Sequence, residues 1–192
     1  MMNLHKPAIA AVLFIALTGL AQAADLLSAS FTTDKVFSPA FKALPTDASK
    51  PFFAVTFGEP KVEAGKLLLA NGRITLGAVA DAAGVIPEST ASSRPEGVLD
   101  LSKPYKITVK ISEASTTIAG KDTFFIYVNN STAKMVQSPL GEASVIVRAP
   151  VSELKPGENV FTATLGDAKS FLQIRAESGA VLKIESIKVE SI

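Results

Sequence analysis

Seven consecutive residues set the terms for this fold: Tyr105, Ile107, Val109 and Ile111 alternate with Lys106, Thr108 and Lys110. A period of two puts the apolar side chains on one face of an extended segment and the polar ones on the other, a half-buried strand with one wet face. Short runs of the same kind recur, separated by Gly, Pro, Asn and Asp. Residues 52–57 are rich in aromatic and β-branched side chains, the composition that fits a pleated surface. Residues 98–101, 123–129, 143–148, 160–165, 171–176 and 181–190 read as further strands. In the last of these, Val181, Ile184, Ile187 and Val189 shift phase near Glu185-Ser186, which a β-bulge would explain.

Asn71-Gly72 lies between the runs 66–70 and 73–76. Both residues tolerate positive φ, so the pair predicts a two-residue hairpin. Residues 77–96 are poor in large apolar side chains and hold Gly84, Pro87 and Pro95. They read as a long loop or lid, with disorder as the alternative. Residues 151–154 read as one helical turn. The expectation is an all-β, two-sheet antiparallel β-sandwich of jelly-roll type with roughly nine or ten strands.

Residues 1–23 have the form of a cleaved export signal: Lys6 near the start, an apolar run from Ala8 to Leu20, and Ala21-Gln22-Ala23 before the cut. The expected single domain is therefore 24–192, exported to the periplasm or beyond, with no transmembrane segment after cleavage. His5 is the only histidine, and the chain has neither Cys nor Trp. Past the signal there is no imidazole base, no thiol nucleophile, no His- or Cys-ligated metal and no disulfide. Without Lys6, the 19 Lys and Arg become 18 against 18 Asp and Glu. Such a balance argues against a nucleic-acid partner, which needs clustered positive charge.

No cofactor is expected. A structural calcium at Asp25 with Glu185 or Glu190 is the one metal site considered, against a reading of these as ordinary surface acids. Glu113, Asp122, Glu142 and Glu177 stand singly near strand ends, and glycoside hydrolysis would need two of them across a groove. Asn129-Asn130-Ser131 and Asn130-Ser131-Thr132 match the glycosylation pattern, but read as a polar hairpin loop.

The strand faces carry the candidate site. Alternation puts Phe125, Tyr127 and Asn129 together, Phe171, Gln173 and Arg175 together, and Ile146 beside Arg148. If these faces belong to one sheet, Tyr127, Asn129, Arg148, Gln173 and Arg175 form a ligand-binding surface. Tyr127 would offer a ring to a pyranose, the amides would take hydroxyls, and the arginines would take carboxylates. The plainer alternative is that they face water.

The strings at 97–109, 125–132 and 170–176 resemble the jelly-roll accessory domains attached to secreted bacterial pectate lyases and related polysaccharide-degrading enzymes. That resemblance implies a carbohydrate-binding module with pectin-type uronates as ligand. Gln173-Ile174-Arg175 also echoes a Gln-[Ile/Val]-His strand of jelly-roll alginate lyases, with Arg in the His position. The leading expectation is an exported non-catalytic polysaccharide binder. A structural or protein-interaction component of the bacterial envelope is the alternative, and a polysaccharide lyase or hydrolase the third.

Overall fold

The computed structural model describes residues 24–31, 35–36, 53–78, 97–129 and 145–192. The expected signal at 1–23, the run 79–96 and the sequon residues Asn130 to Thr132 lie outside these. Ten strands follow in order: β1 (Asp25–Ser30), β2 (Lys35–Val36), β3 (Phe53–Phe57), β4 (Lys61–Glu63), β5 (Lys66–Leu76), β6 (Tyr105–Thr116), β7 (Thr123–Asn129), β8 (Val145–Pro150), β9 (Gly157–Ala163) and β10 (Phe171–Ser191). A 3₁₀ turn, Val151–Glu153, falls where one helical turn is expected. Among the described residues no helix is long and apolar enough to cross a membrane.

All pairings are antiparallel, and they join the ten strands into one open network instead of two separate sheets. The joining element is β10. One of its edges takes β7 along Phe171–Ala176 and β6 from Ala180 to Ser191. Its other edge takes β5 from Leu172 to Ile184 and β1 from Ser186 to Glu190. Beyond these, β8 lies on β7, β9 on β6, and β3 and β4 on β5.

The network bends along one line. On β10 the register slips between Ala176 and Val181, opposite Gly72 and Ala70 of β5. The 117–122 connection between β6 and β7 grips that corner: Thr117 N donates to Gly179 O at 2.8 Å, and Gly179 N donates to Lys121 O at 2.6 Å. A Cβ on Gly179 would sit 2.3 Å from Ile118 O, so only glycine lets the two backbones approach this closely. The bend lets inward side chains of both halves share one core. Ile74, Leu172, Ile174 and Ile126 enter it from one half, and Leu67, Leu182, Ile187 and Ile107 from the other. Phe124 of β7 and Phe161 of β9 touch across it, ring centroids 6.4 Å apart. Each fully buried Leu or Ile stabilises by about 1.5–3 kcal/mol, so this core outweighs the surface ion pairs at about 0–1 kcal/mol each.

Two local expectations are corrected. Asn71-Gly72 is not a hairpin: β5 runs straight through it, because 67–70 and 72–76 both pair with β10 and not with each other. Asn71 does take positive φ, 42°, but at the bend. The two-residue hairpin falls instead at Ala64-Gly65, φ 48° and 73°, between the paired residues Glu63 and Lys66. In place of a strand at 98–101 there is one isolated bridge, Leu99 with Ser170, preceded by another between Ala78 and Gly97. The phase shift near Glu185 is a register irregularity against β6: Ile184 faces Ile111, Ser186 faces Lys110, and Glu185 has no opposite residue.

Candidate functional site: an arginine and aromatic face

Four neighbouring strands, β5, β10, β7 and β8, build one face opposite the side that enters the main core. Register aligns Arg73, Arg175, Phe125 and Arg148 in one row across them. The next row is Thr75, Gln173, Tyr127 and Val145, and Phe171 pairs with Asn129 beyond it. The intervening row, Ile74, Ile174, Ile126 and Val147, points into the core. The five residues singled out from sequence, Tyr127, Asn129, Arg148, Gln173 and Arg175, thus share one face. Ile146 does not join Arg148 there. A register shift between Ile126 and Tyr127 lets Ile146 pack on the main core and puts Val145 against the aromatics.

The side chains divide into two tiers. Tyr127 is only 3% exposed and Phe125 only 7%, with rings stacked at 5.3 Å and 9°. Tyr127 is therefore not an open platform for a sugar ring. Arg148 and Arg175 lie over Phe125 with guanidinium carbons 5.8 and 5.7 Å from the ring centroid, cation–π contacts of about 0.5–1 kcal/mol each at such sites. Arg148 is exposed, while Arg73 and Arg175 are half-buried.

The amides belong to the lower tier. Asn129 Nδ2 donates to Gln173 Oε1 at 3.3 Å, and Gln173 Nε2 donates to Thr75 Oγ1 at 3.2 Å. All three residues are buried, and their mutual hydrogen bonds offset the desolvation of groups that would otherwise lose water without compensation. The chain laces β7, β10 and β5 together in the rows beside the arginines.

Charge on this face is one-sided. Arg73 and Arg175 are directly opposed Cα partners, an arrangement that costs stability when both are cationic. Burial, then the charge of Arg175, pulls the Arg73 guanidinium below its ordinary pKa, with Tyr127 acting the other way. Burial pushes the Tyr127 hydroxyl up, against the charge and hydrogen bond of Arg175. Among the described residues no carboxylate lies within ion-pair distance of Arg148 or Arg175.

The acids are engaged elsewhere. Asp25 meets Lys188 at 2.9 Å, Glu190 meets Lys188 at 2.8 Å and Lys106 at 3.1 Å, and Glu185 meets Lys110 at 2.9 Å and Lys66 at 3.7 Å. The acids considered for calcium thus face ammonium groups, and no cluster of three metal-ligating side chains occurs among the described residues. A calcium ion needs six to eight oxygens, so lysines would have to leave first. Glu113 pairs with Lys183, Asp122 accepts from Thr116, and Glu177 accepts from Thr123 N. Glu142 lies outside the described residues.

Arg73, Thr75 and the stacking role of Phe125 are absent from the residues picked by sequence. The alternation Arg73-Ile74-Thr75 was visible, but reading 73–76 as a hairpin arm hid its pairing with β10.

No protein-family model and no curated protein matches the chain. The likeness to pectate-lyase accessory domains therefore rests on the strand strings alone. Among solved structures the chain is similar to the CBM22-1–GH10 modules of a Clostridium thermocellum endo-1,4-beta-D-xylanase complexed with xylohexaose, with TM-score 0.38 and 15% identity. That match covers 88% of this chain and 28% of the xylanase chain. It is also similar to the K1 cleaved adhesin domain of Lys-gingipain from Porphyromonas gingivalis, with TM-score 0.38 and 14% identity over 86% of this chain and 98% of that one. Similarity of this degree assigns neither ligand nor activity.

Proposed function

We propose that this chain is an exported, non-catalytic β-sandwich domain of jelly-roll kinship that binds an acidic polysaccharide, with pectin-type uronate polymers as the leading class. The observation that carries the reading is the row Arg73–Arg175–Phe125–Arg148. Planar guanidinium groups match carboxylates by paired hydrogen bonds, and Arg148 is exposed to receive one. In this reading the arginines meet the ligand, while Tyr127, Asn129 and Gln173 hold them in place. Affinity electrophoresis in gels containing polygalacturonate, alginate or a neutral glucan tests it. Retardation in the uronate gels, lost in Arg148→Gln and Arg175→Gln, is expected; unretarded migration in every gel refutes the reading. Release of unsaturated product, followed by absorbance, would move the protein to the lyase class.

A second reading, a protein-interaction component of the envelope, is favoured by β9. Among the described residues this strand pairs on one side only, with β6, through seven consecutive residues without a register shift. β1, β3 and β8 each carry one, the irregularity that blunts open edges. Val160 on β9 is 55% exposed. Capture of an envelope protein that is lost in Val160→Lys, with no polysaccharide retention, would favour this reading over the first.

A further inference from the structure

We infer that the open edge of β9 is a self-association seam, on which β9 of a second copy pairs antiparallel about a two-fold axis through Val160. Among the described residues β9 pairs only with β6, along Gly157–Ala163 and without a register shift. Every second residue of such an edge turns its N–H and C=O away from the sheet, a template for another strand. Edges are ordinarily blunted by Pro, by Lys or by a bulge. Residues Gly157 to Ala163 carry none of the three. Val160, Phe161 and Thr162 follow one another there, a composition that fits a paired strand.

The occupant is a second copy because the strand is complementary to itself. An axis through Val160 sets Val160 against Val160, Asn159 against Phe161, Glu158 against Thr162 and Gly157 against Ala163, so no charge meets its like. Glu158, Val160 and Thr162 are the exposed side chains of β9, and their β6 partners are Lys110, Thr108 and Lys106. Across the seam one row therefore reads Lys106, Thr162, then Glu158 and Lys110 of the second copy. The acid lies between lysines of both copies. In the middle row Val160, 55% exposed, closes on its own counterpart.

The Asn159 amide is already satisfied within its own copy: Nδ2 donates to Lys155 O at 2.8 Å, and Oδ1 accepts from Lys155 N at 3.0 Å. Pairing thus leaves that amide with its partners. Pro156 falls opposite Thr164 in this register and has no N–H to give, which ends the seam at the seven residues of β9, about 24 Å of strand. An isologous pair closes after two copies. A seam of this length is small beside a permanent interface, so the dimer forms and dissociates with concentration.

Sedimentation velocity of the full mature chain over a dilution series tests this. The mass is expected to move from twice the monomer value toward the monomer on dilution. Val160→Lys sets two ammonium groups face to face and should weaken the dimer by about tenfold or more, with an unchanged circular dichroism spectrum because Val160 is exposed. The chain has no Cys, so an introduced thiol reports its own neighbour. Under mild oxidation Val160→Cys should crosslink to itself. An equal mixture of Glu158→Cys and Thr162→Cys should give the mixed disulfide in preference to either self-linked pair. A chain that is monomeric at every concentration, a dimer that Val160→Lys leaves intact, or self-linking of Glu158→Cys in preference to the mixed pair overturns the seam. A monomer that captures a strand of a different protein on β9 overturns it too, in favour of a foreign partner at that edge.

Discussion

Arg73 and Arg175 face each other directly across β5 and β10. Two cations at neighbouring positions on the same sheet face repel each other, and an anion bound on that face would lessen the repulsion. Saturating uronate polymer should therefore raise the melting temperature. At a ligand concentration of 100 Kd the stabilisation is about 2.7 kcal/mol, or several degrees for a domain of this size. The shift should shrink with added salt, since exposed charges are screened. A thermal melt with and without polymer, at two salt concentrations, reads both effects.

The amide chain makes a separate prediction about stability. Gln173→Leu removes the acceptor of Asn129 Nδ2 and one donor to Thr75 Oγ1 together. A buried polar group left unmatched costs about 1–3 kcal/mol. Urea unfolding should show the unfolding free energy lower by that amount, through a lower midpoint at an unchanged slope.

Gly179 is the tightest point of the corner. Gly179→Ala places a methyl group 2.3 Å from the backbone oxygen of Ile118 and 2.8 Å from that of Lys121. Neither is the end of a flexible side chain, so the connection must move. A loss of about 1–3 kcal/mol is expected, and faster amide exchange at Thr117 would locate it.

Tyr105 gives the alkaline limb of the stability profile. Its ring is fully buried and its hydroxyl donates to Leu165 O at 2.7 Å. Burial raises the phenol above its ordinary value of 10.0. The folded state thus keeps a proton that the unfolded chain releases, so this contribution is intact below pH 10 and declines as pH rises beyond it. Hydrogen bonding to Glu190 and Asp25 raises Lys188, and Glu185 raises Lys110, adding loss above pH 10.5. Tyr105→Phe should cost about 1 kcal/mol at neutral pH and make the alkaline decline shallower.

The acid limb runs the other way. Hydrogen bonds from Lys188 and Lys106 hold Glu190 below its ordinary value of 4.5, and Lys110 does the same for Glu185. These carboxylates contribute above pH 4.5 and lose their effect as pH falls through their lowered values. Denaturation midpoints measured from pH 6 to pH 2 should drop across that window. Glu190→Gln should reduce the slope of the drop.

Sequence reading went furthest where the signal was local. The alternation in 105–111 placed β6, that in 123–129 placed β7, and the phase break near Glu185 marked an irregularity that the register confirms. It also grouped Tyr127 with Asn129 and Gln173 with Arg175, because period two is a property of the backbone itself. It erred at Asn71-Gly72, where positive φ serves a bend as readily as a hairpin. It erred again at Tyr127, whose ring is covered by neighbours from other strands.

What the sequence by itself determined is which residues are extended and which face each takes along its own strand. That follows from steric geometry between adjacent residues and needs no partner. Which strands lie side by side was decided only by tertiary pairing. β5, β10, β7 and β8 come from regions up to a hundred residues apart, and their register follows from burying one shared core along the bend at Gly72 and Gly179. The same long-range choice set Arg73 opposite Arg175 and buried Gln173 between Thr75 and Asn129. Alternation along a strand carries no record of its neighbours, so the arginine row exists in the fold and nowhere in the linear pattern.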